Sequence, residues 1–242
     1  MSGPGLVLER RLLRQGYRLI AGVDEVGRGA WAGPVVAGAV ILPLDQTDLR
    51  AALKGVNDSK QLTGRQRERL AAVIGEVALA VGVGGAGSNE VDQHGLLPAT
   101  RAAMQRAIAM LSVPPQALLI DAVDLAPLVP LPQESPIHGD SRSLSIAAAS
   151  IVAKVARDRW MVGLDERCPG YGFARHKGYG TPQHCAALER LGVCEAHRRS
   201  YAPIVKLCDG RPDLTPRPPS LNGKGVPLSV RAFSGVAGLM IG

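Results

Sequence analysis

The chain has 242 residues, 46% of them hydrophobic, 20% charged and 3% aromatic, with a net charge of +7. That apolar content excludes a chain disordered throughout, and the length fits one large domain or a medium domain with appended pieces. No run approaches the ~20 apolar residues that a bilayer crossing needs. Arginines scattered through residues 1–20 leave no signal-peptide core, and so few aromatic residues exclude a base-stacking platform.

The four cysteines (Cys168, Cys185, Cys194 and Cys208) include no C-x-x-C pair. This argues against a structural zinc or a disulfide scaffold and for reduced thiols in a cytoplasmic protein. Charge is uneven: residues 21–141 carry −4 and residues 142–205 carry +5. An acidic half beside a basic half suits a polyanion-binding protein that concentrates carboxylates.

Residues 18–26 (RLIAGVDEV) and 34–42 (PVVAGAVIL) read as two strands joined by the turn GRGAWAG, apolar enough to be covered on both faces. Thr63 and Gln66 form a T-x-x-Q capping box that opens a helix over 63–76. A third strand is expected at 77–84. A helix is expected over 90–111, in which Pro98 is awkward and suggests a late start. The run 116–123 (QALLIDAV) is a fourth strand, and after a Pro-rich loop IHGD (137–140) reads as a short extended piece. Residues 143–167 form a strong helix whose first turns carry small side chains, allowing the backbone close to a sheet or a ligand. Thr181-Pro182 and Gly192 bracket a helix of about ten residues. From about 206 the pattern dissolves into Pro and Gly, as expected of a disordered tail. Strands alternating with helices argue an α/β layer fold.

Asp24, Asp121 and Asp140 each close an apolar or extended segment, where an unpartnered carboxylate is costly. Converging carboxylates without a His/Cys cluster favour magnesium or manganese over zinc. Glu25 poses a difficulty, since neighbours on a regular strand face opposite ways; both acids reach one ion only if the strand breaks or bulges there, or if Glu25 uses its carbonyl. In Gly27-Arg28-Gly29 the glycines admit a close ligand while the guanidinium grips a phosphate, although an ordinary turn has the same pattern. Lys60 of NDSK is a phosphate contact or part of a plain helix cap, and His176, Lys177 and Tyr179 of HKGYGT are phosphate and sugar or base contacts or a plain surface loop. Lys154 is a further substrate-binding candidate; with Arg157 it otherwise forms a solvated basic face. No P-loop and no G-x-S-x-G elbow is present.

The stretches AGVDEVGRGAWAGPVVAGAVIL, NDSKQLT, LLIDAV, HGDSRSLSIAAASIVAKVARDRWM and YGFARHKGYGTPQHCAALERLGVCEAHRRSYAPI resemble, in order across residues 18–205, the ribonuclease HII (type 2 ribonuclease H) family. The resemblance implies a ribonuclease H-like fold, a mixed central sheet flanked by helices with a C-terminal helical extension, preceded by an N-terminal extension over 1–17. It implies metal-dependent endonuclease activity on RNA–DNA hybrids and on single ribonucleotides in duplex DNA. It assigns an acidic site to Asp24, Glu25, Asp121 and Asp140, holding two Mg2+ or Mn2+ ions. Recognition of the ribose 2′-OH falls to Gly27, Arg28, Gly29 and Tyr179. No recruiting motif for a replication clamp is readable, and a monomer is the simplest expectation. Two departures stand out: Ala122 where the family often has Gly, and Trp31 where a smaller residue is usual. A nucleic-acid binder with a dead site is disfavoured by the intact acids. A junction resolvase on the same fold would have no use for a 2′-OH reader.

Overall fold

In the computed structural model, which describes residues 3–126 and 128–209, the two N-terminal apolar runs pair antiparallel as β1 (Ile20–Val26) and β2 (Val35–Ile41). Every residue of β2 is buried, as continuous apolar character requires of a strand covered on both faces. The remaining strands are β3 (Ala80–Ala86), β4 (Ala117–Ile120) and β5 (Gln133–Glu134), giving a five-stranded sheet in the order β3-β2-β1-β4-β5. It is mixed: β2 is antiparallel to β1 and β3, whereas β4 runs parallel to β1 and β5. The third strand lies a few residues later than its local pattern placed it, because the preceding helix runs on to Val77.

Helices cover both faces. N-terminal to the sheet is α1 (Val7–Arg14), and α2 (Leu49–Ala52) and α3 (Gly64–Val77) follow β2. The expected Thr63–Gln66 capping box opens α3. The single helix expected over 90–111 is two, α4 (Ser88–His94) and α5 (Leu96–Ala109). The break falls at Gly95, at φ 87°, and not at Pro98. Pro98 lies in the first turn of α5, where a missing N–H costs nothing. Ala103, Met104 and Ala107 of α5 pack on Val23, Val35 and Ala37.

The opposite face is covered by α6 (Leu144–Arg167). The backbones meet directly there. A Cβ on Gly22 would lie 2.1 Å from the Ser145 carbonyl carbon, and one on Gly38 would lie 2.5 Å from the Ala149 oxygen. The small residues at the start of α6 are the other half of that fit, as their pattern implied. Leu8 and Leu12 of α1 join Ile20, Leu119 and Ile146 in the same packing. Glu9, fully buried, accepts hydrogen bonds from the Ser143 hydroxyl (2.6 Å) and the Ser145 N–H (3.0 Å), so the N-terminal segment caps α6.

A second, smaller core forms beyond the sheet from the end of α6, α7 (Phe173–His176), α8 (Pro182–Leu191) and Ile204 of α9 (Ala202–Asp209). Thr181 caps α8, Pro182 occupies its first turn and Gly192 ends it at φ 75°, as read from the sequence. The disordered tail expected from 206 falls, beyond Asp209, outside the described residues. Among the described residues no helix is long and apolar enough to cross a membrane.

Candidate active site

Because β1 and β4 are parallel, with Val23 opposite Ile120, their carboxyl ends lie side by side and carry Asp24 and Asp121 to one edge of the sheet. Ligands of open α/β sheets bind at such edges. The Asp121 N–H donates to the Val23 carbonyl (3.0 Å). Asp24, 5% exposed, faces α6 and is hydrogen-bonded to Ser150, whose Oγ lies 2.9 Å from the Ser59 Oγ. One Asp24 oxygen also accepts the Glu25 N–H (2.7 Å).

The break at Asp24-Glu25 that would let both side chains reach one ion is not there. Pairing with β2 stays in register through Val26, so Glu25 leaves the strand on the face opposite Asp24. Its Oε1 pairs with the Arg28 guanidinium at 3.1 Å, and its Oε2 is buried with no hydrogen-bond partner.

Asp140 also departs from expectation locally. IHGD is not extended: His138 is left-handed (φ 54°) and Gly139–Ser141 form a single 3-10 turn. The turn is tied to β4, since the Gly139 N–H donates to Asp121 Oδ1 at 2.7 Å. Asp140 is 6% exposed, and its Oδ2 lies 3.8 Å from Lys60 Nζ. NDSK therefore reaches the acids through Ser59 and Lys60 together.

The electrostatics are those of like charges crowded away from water. Burial pushes Asp24 well above the usual carboxylate range, and the neighbouring charges of Glu25 and Asp121 add to it. Glu25 is raised by burial, against the pull of Arg28, and Asp140 by burial and then by Asp58 and Asp121. Burial works against the Lys60 ammonium, yet the surrounding carboxylates, Asp58 and Asp140 first and then Asp24 and Asp121, together hold Lys60 above its ordinary value.

The donor set fits a hard divalent cation. It is all oxygen, one carboxylate oxygen is orphaned and buried, and the cost of the ionised acids is one that only positive charge relieves. As the side chains stand, no three His, Cys, Asp or Glu residues among the described residues are gathered closely enough to hold an ion. Glu25 is turned to Arg28 and Asp140 to Lys60 instead.

The two loops singled out in the sequence are joined. The turn at Gly27 (φ 93°) leads to Trp31, whose N–H donates to the Gly178 carbonyl (2.8 Å). His176, 8% exposed, holds the second loop from inside: Nδ1 accepts the Gly178 N–H (3.2 Å), which leaves Nε2 to donate to the Tyr171 carbonyl (2.8 Å). Lys177 is left-handed (φ 54°), and its ammonium donates to the Ala174 carbonyl at 2.6 Å. Tyr179 is partly exposed. Trp31 is accommodated because residue 180 is glycine; a Cβ there would sit 2.1 Å from the indole.

Lys154 and Arg157 of α6 are not the solvated basic face they resembled. Lys154 is half-buried and bonded to Asp158 at 2.6 Å, which also pairs with Arg67 at 3.6 Å. Arg157 is fully buried. Ser59, Ser150 and Arg157 went unassigned in the sequence, although NDSK and SIAAAS carried the signal that small polar groups sit where the acids converge.

Ala122, next to Asp121, has φ 51°, a conformation costly for any side chain and free for glycine. Ala122→Gly is expected to stabilise the protein by about 1 kcal/mol, less the added freedom of the unfolded chain, raising Tm by about 2 °C. Thermal unfolding checks this; an unchanged or lower Tm would show that the strain is relieved elsewhere.

The family model for ribonuclease HII matches residues 21–204. A ribonuclease HII of Geobacillus kaustophilus is 55% identical over 196 residues, covering 81% of this chain and 73% of its own length. Among solved structures, the ribonuclease H2 of Pyrococcus horikoshii superposes with a TM-score of 0.68 at 26% identity, covering 80% of this chain and 99% of its own. The ribonuclease HII of Archaeoglobus fulgidus, solved in complex with PCNA, gives 0.65 at 25%, covering 76% and 95%. With a mixed sheet that delivers its acids to one edge, and with this likeness over most of its length, the chain belongs to the ribonuclease HII family of metal-dependent endonucleases, which hydrolyse the RNA of RNA–DNA hybrids.

Proposed function

We propose that the protein cuts RNA–DNA hybrids and also cuts 5′ of single ribonucleotides embedded in duplex DNA, leaving 3′-hydroxyl and 5′-phosphate ends. The observation that carries this reading is the continuity of β1 with the turn that follows it. Asp24 and Glu25 lie near the carboxyl end of the strand, Gly27-Arg28-Gly29 begin two residues later, and the chain just after that turn, at Trp31 and Ala32, is hydrogen-bonded to the loop bearing Tyr179. Carboxylates and the reader of the sugar are thereby held in one rigid frame, as near-attack positioning demands.

Asp24, Asp121 and Asp140 would hold two Mg2+ or Mn2+ ions, with Asp140 giving up Lys60 to do so, and Glu25, on the other face of β1, would join them through its carbonyl or by leaving Arg28 with a local opening of the strand end. Such ions supply a nucleophilic water at neutral pH and stabilise charge on the leaving oxygen. Freed from Asp140, Lys60 stands beside the acids as a phosphate contact, and Arg28 as another. Polar backbone groups of the 27–29 turn and the Tyr179 ring read the ribose. A DNA strand without a 2′-OH leaves those groups unpaired, which rejects it more strongly than any apolar contact could.

The test uses end-labelled duplexes that are all-DNA, all-hybrid, or DNA with one ribonucleotide, with and without Mg2+ or Mn2+. Metal-dependent cutting 5′ of the ribonucleotide, absent on all-DNA and lost in Asp121→Asn, is the expected result. Equal cutting of all-DNA overturns the reading.

A further inference from the structure

Two arginines, Arg157 and Arg198, are fully buried, and neither has a carboxylate within ion-pair distance among the described residues. A buried guanidinium without a counter-ion is costly. Burial lowers Arg157 to about 10 and also lowers Arg198. Both remain cations at neutral pH, so something else must satisfy them. It is backbone, with the Tyr201 hydroxyl, and these groups lie in or against the segment that follows Glu25.

Arg157 reaches up from α6. Its Nε donates to the Pro34 carbonyl (2.9 Å), one terminal nitrogen to the Ala32 carbonyl (3.2 Å) and the other to the Lys177 carbonyl (3.0 Å). Its guanidinium lies 5.4 Å from the centre of the Tyr179 ring, and a Cβ on Gly27 would come within 2.2 Å of its Nε. One side chain thus touches the glycine turn, the carbonyls after it and the loop and ring opposite.

Arg198 approaches the same segment from the C-terminal side. Its Nε and one terminal nitrogen both donate to the Gly33 carbonyl (3.1 and 2.9 Å), and the other terminal nitrogen donates to the Arg28 carbonyl (2.8 Å). That nitrogen also donates to the Tyr201 hydroxyl at 2.9 Å, and the hydroxyl itself donates to the Arg28 carbonyl. Between them the two guanidiniums hold the carbonyls of residues 28, 32, 33 and 34. Residues 27, 29, 30, 32 and 33 are all Gly or Ala and have almost no side chain with which to pin themselves.

We infer that Arg157 and Arg198 are positioning residues for sugar discrimination: by fixing these carbonyls from beneath, they set the turn and the Tyr179 loop at the spacing that a ribose 2′-OH requires. The inference rests on the 2′-OH reading above. Reading one hydroxyl by backbone groups demands placement within about half an ångström, and a guanidinium fork holds two or three carbonyls at fixed angles where an ammonium's donors rotate about a single nitrogen.

Binding separates this role from general support. In an Asp121→Asn background, which removes cleavage, Kd is measured with Mg2+ by fluorescence anisotropy for a duplex with one ribonucleotide and for the same duplex in all-DNA form. Arg157→Lys and Arg198→Lys keep the charge and are expected to lower the ratio of the two Kd values by about tenfold or more, with all-DNA binding little changed. Tyr201→Phe removes one hydroxyl without opening a cavity, so it carries the test if a lysine variant fails to fold; its ratio should fall about two- to fivefold. Circular dichroism confirms that each variant compared is folded. Both Kd values weakening in parallel, or a ratio unchanged in the folded variants, overturns the proposal alone. A ratio of one already in the Asp121→Asn parent overturns the 2′-OH reading, and the proposal with it.

Discussion

Asp24→Asn is expected to reduce cleavage at least a thousandfold while making the metal-free protein more stable to heat. Activity falls because Asp24 is a buried acid, hydrogen-bonded to Ser150 and within reach of the charges of Glu25 and Asp121, and an amide carries no charge to hold a cation. Stability rises because the same burial and the same neighbours oppose the ionised form. Asparagine keeps an acceptor for the Glu25 N–H, so the deletion is mostly of charge. Each kcal/mol recovered raises Tm by about 2–4 °C for a chain of this size.

The pH dependence follows in sign. A carboxyl whose native pKa lies above its unfolded value near 4 keeps its proton in the folded state after the unfolded chain has lost it. Its contribution favours folding below that value and is lost as pH rises through the native pKa. Asp24, Glu25 and Asp140 all shift upward. In chelator-treated protein the Tm advantage of Asp24→Asn over wild type should therefore grow from about pH 4 towards neutrality. Scanning calorimetry at several pH values checks this; a variant no more stable than wild type at pH 7 would show that Asp24 is not strained.

Gly22→Ala is expected to destabilise the protein by about 3 kcal/mol or more, or to prevent folding. The added methyl would meet the carbonyl carbon and oxygen of Ser145 at 2.1 and 2.3 Å and the Ile146 nitrogen at 2.5 Å. These are backbone atoms in the first turn of α6, where no side chain can rotate away, so either the helix or β1 must move. Asp24 lies two residues along the strand and Ser150 one turn along the helix, so activity should fall with stability. Gly38→Ala is the graded companion, since its methyl would meet the Ala149 oxygen at 2.5 Å. Urea unfolding should give a lower midpoint with an unchanged slope. A stability within about 0.5 kcal/mol of wild type would mean that the helix and sheet are not in backbone contact.

Much of this protein was determined by its residues acting locally. The apolar runs at β1, β2 and β4, the Thr63–Gln66 capping box, and Pro182 and Gly192 at the ends of α8 are short-range signals, and each element formed where its own residues placed it. The likeness of the acids and loops to one family was equally legible, because residue identity in order carries it. Tertiary structure alone decided which charges are solvated. Arg157 and Lys154 occupy positions that a helical pattern reads as an exposed basic face, yet Arg157 lies beneath residues 32–34 and 177, and Asp158, the helical neighbour that pairs with Lys154, is also met by Arg67 of α3. It also decided that Glu25 stays in register and pairs with Arg28, and that Asp140 sits on a turn anchored to Asp121. The reason is one of range: helix caps and strand runs depend on neighbours a few residues away, whereas the cost of a buried charge depends on what distant segments lay over it, for Arg157 a carbonyl 123 residues earlier in the chain.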